Sequence, residues 1–121
     1  MKNIILASVL AVTAVTTLDA NAASTAFCNA ANVAGDATAA AAAGGTSSFI
    51  KVAFTPKCSA NVFLNGNDES ALLFRIGSAS NKGKSYFGGS SSGGAVARQG
   101  DCGGTCDATK ASAGMNAASS S

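Results

Sequence analysis

The chain has 121 residues, which is one small domain at most after removal of an export leader, and it carries 4 cysteines, 14 glycines and no histidine. A formal net charge of +2 leaves no polybasic footprint, so nucleic acid is excluded as an expected partner. Without histidine, neither a Ser-His-Asp nor a Cys-His site can be built, and the commonest acid/base group near neutral pH is missing.

The first element in chain order is a leader. Lys2 supplies a positive start, and Ile4–Val15 is an apolar run too short for a stable membrane anchor. A polar stretch follows, and Ala20-Asn21-Ala22 places small residues where a signal peptidase needs them. Residues 1–22 are therefore expected to be a cleaved signal peptide of bacterial style, with cleavage before Ala23 or, as an alternative, before Ser24. A buried N-terminal helix is the competing explanation. Phe27 before Cys28 is too bulky for lipoprotein processing, and no later stretch is long and apolar enough to span a membrane as a helix. The chain also lacks a terminal aromatic residue of the outer-membrane barrel type. The expected product is periplasmic or extracellular, with no membrane anchor after processing. Lys2 and Asp19 leave together, so processing keeps the charge balance unchanged.

Residues 23–47 are an Ala-rich arm or a short helix. The run Ala37–Ala43 has high helix propensity, Asp36 is a plausible N-cap, and Gly44-Gly45 would end the helix. A helix this short needs docking to persist. A small β-rich domain is expected over 48–107. Residues 48–55 predict the first strand, which Pro56 stops or confines to an edge. Residues 60–64 and 70–76 predict a hairpin joined through Asn65-Gly66-Asn67-Asp68, a strong turn signal. Residues 84–87 predict a short strand broken by Gly88-Gly89, and Ala95–Arg98 predicts a fifth. Short polar turns between consecutive strands favour an antiparallel meander, or a small sandwich-like sheet. Residues 108–121 are small and polar, and are expected to be a disordered tail. The fold class is all-β, with flexible Gly/Ser/Ala-rich arms and the N-terminal helix as an option.

Cys28, Cys58, Cys102 and Cys106 form an even set in an exported chain, which reads first as two disulfides. Three connectivities exist. Cys102 and Cys106 stand close enough for a tight local loop, which leaves Cys28 with Cys58, and this arrangement is slightly favoured. A four-cysteine metal site is the alternative, but the C-x₃-C spacing and the two isolated cysteines fit zinc poorly. "CGGTC" has one residue too many between its cysteines for a thiol-disulfide catalyst at a helix start, so a structural bridge is favoured.

Other motifs are weaker. Gly77–Ser85 ends in Gly-Lys-Ser like a phosphate-binding loop, but five residues separate its glycines and no helix can follow, so a hairpin turn is expected. Asn65, Asn67, Asp68 and Glu69 offer oxygens to calcium but form only a fragment of a binding loop, and a solvated turn is expected. Gly88–Gly94 is expected to be a flexible loop. Lys51, Lys57, Lys82, Lys84 and Arg98 could share one face or follow strand edges, where lysine discourages edge pairing. Tyr86 and Phe87 would alternate between core and surface. The acids Asp36, Asp68, Glu69, Asp101 and Asp107 show no pairing for glycoside hydrolysis, because Asp68 and Glu69 would face opposite ways on a strand. Ser-Lys pairs at Ser85/Lys84 and Ser80/Lys82 are ordinary loop residues.

No catalysis, cofactor or metal is expected. The expected function is a small exported structural or surface-interaction subunit for a filament, matrix or adhesion, because a free edge strand accepts a strand from a neighbour. Its partners would be further copies meeting at strand edges, or an unidentified protein or glycan. The alternative is a monomeric periplasmic or secreted binding module, an inhibitor or a bacteriocin-like peptide.

Overall fold

The computed structural model describes residues 24–118. The expected leader, residues 1–22, lies outside the described residues, as do 119–121. The main element is a five-stranded antiparallel sheet. Its strands are β1 (Thr25–Asn29), β4 (Val62–Ser70), β5 (Leu73–Ser80), β6 (Ser85–Ser90) and β7 (Ala97–Asp101), in the spatial order β1-β4-β5-β6-β7. The last four form a meander, as the short polar turns imply. Two short strands, β2 (Gly35–Asp36) and β3 (Lys57–Cys58), form a separate ribbon. One helix, α1 (Ala108–Ala117), ends the fold.

The hairpin β4–β5 turns later than its composition predicts. Asn65, Gly66, Asn67 and Asp68 lie inside β4, opposite Gly77, Ile76, Arg75 and Phe74. Cross-strand partners here override local turn preference. The chain reverses instead at Ala71-Leu72, where the Ser70 hydroxyl accepts the amides of Leu72 and Leu73 at 3.3 and 3.2 Å. Gly88 and Gly89 do not break β6; they pair with Gly77 and Ile76.

Two expectations require correction. The helix is C-terminal, at Ala108–Ala117 within the expected tail, and Ala37–Ala43 is not helical. Ala41 instead makes an isolated antiparallel bridge to Phe54, with N···O distances of 2.8 and 3.1 Å. That bridge is the sole strand-like feature of residues 48–55. Both sides of the segment "FIKVAF" are apolar, so as a strand it would need cover on two faces. In the fold its amides at Phe49 and Ile50 bond a side chain, Asp68, rather than a neighbouring strand. β1 lies within the segment 23–47 and is an integral strand of the sheet.

Side chains alternate across the sheet, and each face has its own cover. On one face α1 packs against Phe63, Ala79 and Tyr86 through the buried Ala111. On the other, the loop from Ala37 to Ile50 packs against Phe27, Leu64 and Phe74. The helix approaches to backbone contact. A Cβ at Gly77 would overlap the Ala111 carbonyl and the Met115 amide, and one at Gly88 would overlap the Gly114 carbonyl. Asp107 caps the helix, its carboxylate accepting the Lys110 amide at 3.1 Å. Arg75 on β5 ties down the other end by donating to the Asn116 carbonyl at 3.2 Å. No helix among the described residues is long and apolar enough to cross a membrane.

Candidate functional site

The four cysteines fall into two pairs at disulfide distance, Cys28 with Cys58 and Cys102 with Cys106. Such pairs fit an oxidising compartment. Each lies in a different core. Cys28 and Cys58 join β1 to β3 and close the neck of the long loop. Cys102 and Cys106 form a tight ring that turns the chain from β7 towards α1. The ring is seated by the Cys102 amide, which donates to the Lys84 carbonyl at 2.7 Å.

The two outer strands differ. At β1 the Phe27 carbonyl accepts the Thr38 amide at 3.0 Å and its hydroxyl at 3.3 Å, so the loop covers this edge. Beyond β7 no strand follows among the described residues. β7 carries a bulge: Arg98 faces Phe87 and Gly100 faces Tyr86, leaving Gln99 unpaired. The bulge brings Arg98 and Asp101 together as an exposed ion pair, with Ser85 on β6 between them. The Ser85 hydroxyl donates to Asp101 and accepts from Arg98 Nε, both at 3.0 Å. Hydrogen bonds from Arg98 and then Ser85 hold the Asp101 carboxyl below its ordinary range. Beside this edge Phe87 is 40% exposed and Val96 59%.

A second arrangement centres on Asp68. Its carboxylate accepts the Ser48 hydroxyl, the Phe49 amide at 2.7 Å and the Ile50 amide at 3.1 Å. Burial pushes this carboxyl up. The hydrogen bonds from Ser48, Phe49 and Ile50, together with the nearby Lys51 charge, outweigh burial, and the net shift is downward. The carboxylate thereby pins the tip of the long loop to β4. Phe49 reinforces the attachment by stacking on Phe74, with ring centroids 6.0 Å apart. Between loop and sheet lies a cavity of about 270 Å³ lined by Phe27, Ala41, Ile50, Gly66, Asp68 and Phe74 among others.

The remaining candidate residues are dispersed. In Gly77–Ser85 the first four residues belong to β5, the next four form the hairpin turn, and Ser85 opens β6. No helix start faces this loop. Asp68 and Glu69 serve opposite faces: Asp68 holds the loop, and Glu69 pairs with Arg75 beneath α1. Asn67 bonds Glu69 at 3.2 Å, and Asn65 bonds Ser112 on the helix at 2.6 Å. The four oxygen-bearing residues therefore do not form one ligand shell. Among the described residues, no three His, Cys, Asp or Glu side chains stand together as a metal site. Lys51 donates to the Gly45 and Thr46 carbonyls, and Lys57 pairs with Asp36. Ser80 accepts the Lys82 amide at 3.2 Å.

Sequence reasoning gave Asp68 no role, because its partners lie 18 to 20 residues away in the chain. Lys110, which sits 5.6 Å from the centroid of the Tyr86 ring, was hidden by the expectation of a disordered tail. Asp107 was the available clue, since an aspartate before a run of good helix formers is a start signal. No family model, curated protein or solved structure matches the chain.

Proposed function

We propose that the protein is an exported structural or surface-interaction subunit, acting by contact with further copies of itself rather than by catalysis. The observation that supports this reading is the asymmetry of the sheet: β1 is covered by Thr38, whereas β7 has no neighbour beyond it. An unpaired edge is a template for another strand. Two β7 strands meeting antiparallel about a two-fold axis would set Arg98 opposite Asp101 of the other copy. Opposite charges directly across such a pair are favourable, and like charges are not. A two-fold contact of this kind is closed, so the assembly unit is a dimer, to which the Gly/Ser-rich arms would add further contacts. Export rests on the N-terminal leader pattern together with the paired cysteines.

One observation favours the alternative of a monomeric binding module: the Gln99 bulge and the Arg98–Asp101 pair are also devices that discourage edge pairing. Light scattering on size-fractionated protein over a wide concentration range separates the two. Mass rising from monomer to dimer supports the subunit. A monomer at every concentration supports the binding module.

A further inference from the structure

We propose that the cavity beneath the long loop is a binding site for a small organic ammonium ion, a cationic amine carried on an apolar body. This inference does not depend on self-association. Phe27 and Phe74 wall the cavity on the sheet side, and Ala41 and Ile50 wall it on the loop side. Gly66 forms the floor. A Cβ there would meet Phe27 Cε2 at 2.6 Å and Phe74 Cζ at 2.9 Å, so the missing side chain lets both rings come down onto the strand. A concave, largely apolar space with few converging polar groups is the usual form of a small-molecule site. Its volume of about 270 Å³ limits the guest to a single ring or a short alkyl chain.

The charge of the guest follows from the lining. Asp68 is the one ionisable side chain among the residues that line the cavity. Its Oδ2 accepts the Ser48 hydroxyl and the Ile50 amide, while its Oδ1 accepts the Phe49 amide. A carboxylate has about four lone-pair positions over its two oxygens, so one on Oδ1 remains for a guest. An ammonium group supplies a charge-assisted donor to that position, whereas a carboxylate or phosphate guest would meet like charge. Lys51, the nearest cation, is engaged by the Gly45 and Thr46 carbonyls at 3.0 and 3.2 Å. The downward shift of the Asp68 carboxyl keeps it ionised at neutral and mildly acidic pH.

The test is titration of oxidised, isotope-labelled protein with phenethylammonium, followed by amide chemical shifts. The neutral 2-phenylethanol and the anionic 3-phenylpropanoate serve as matched probes. Saturable shifts are expected at Ala40–Gly44 and Gly66, with the alcohol about tenfold weaker and the acid weaker still. Asp68→Asn is expected to abolish the preference for the ammonium over the alcohol. Because that variant also loosens the loop, Ala42→Leu is a second probe: Ala42 is an exposed lining residue, and the change narrows the mouth while keeping the Asp68 contacts. It is expected to weaken phenethylammonium about fivefold or more without lowering the melting temperature. Shifts that do not saturate, shifts centred elsewhere, or equal affinity for alcohol and ammonium would overturn the proposal.

Discussion

Gly77 on β5 lies directly beneath Ala111 of α1, with the helix backbone where a side chain at position 77 would be. The same relation holds between Gly88 and Gly114 one strand further on. The helix therefore seats on two glycines, and its fully buried Ala111 replaces the large side chains that most cores use.

Gly77→Ala is accordingly expected to force α1 away from the sheet and to destabilise the fold by about 1–3 kcal/mol, the usual range for overpacking. Urea unfolding of the variant against the parent checks this. Gly35→Ala, where the added Cβ meets nothing within 4 Å, is the control and is expected to change little. Equal loss at both positions would contradict the close seating.

This packing also explains what could be read from the sequence. The consecutive hairpins and the favoured cysteine pairing were legible, because turns and tight Cys spacing are local signals. The helix was not, because its buried face is Ala111, Gly114 and Met115, followed by Ala118. That spacing is helical, but small residues carry almost no hydrophobic contrast, so periodicity in large apolar residues misses it. The turn signal Asn65–Asp68 failed for the opposite reason: it is locally strong, yet partners on β5 and the loop claim all four residues. Asp68 acquires its role from Ser48, 20 residues distant, which no local pattern reveals.

Asp68→Asn removes the charge that holds Ser48, Phe49 and Ile50. Hydrogen bonds to a charged group are typically worth about 1.5–3 kcal/mol each, less where water reaches them, so a loss of about 1–3 kcal/mol is expected at neutral pH. The carboxyl is lowered from its ordinary 3.8 in the folded state. Its contribution is therefore fully present above that value and is lost as pH falls through the lower, folded-state pKa. Parent and variant are expected to differ by a constant amount at neutral and mildly acidic pH and to converge in stronger acid. A gap that widens on acidification would contradict the assignment.

The two cysteine pairs are expected to stabilise unequally. Cys28 and Cys58 are separated by 30 positions and Cys102 and Cys106 by 4. In the chain-entropy model, removing the first bridge costs about 3–4 kcal/mol and removing the second about 2 kcal/mol. Thermal unfolding of the two double-serine variants checks the order, and a larger loss from Cys102→Ser/Cys106→Ser would reverse it.

At the β7 edge, Arg98→Asp is expected to weaken self-association by setting like charges across the pair. The exchange Arg98→Asp/Asp101→Arg is expected to restore it. Coupling of roughly 0.2–1 kcal/mol per charge pair makes the effect a few-fold in dissociation constant, doubled by the two-fold axis. Sedimentation equilibrium on all three proteins reads it. Identical constants would place the contact away from β7.

The most direct measurement is multi-angle light scattering of the oxidised, processed protein from micromolar to millimolar concentration. The subunit account predicts a rise from monomer to dimer with a plateau at the dimer. A monomer mass across the whole range would contradict it and leave the β7 edge a protected terminus of the sheet.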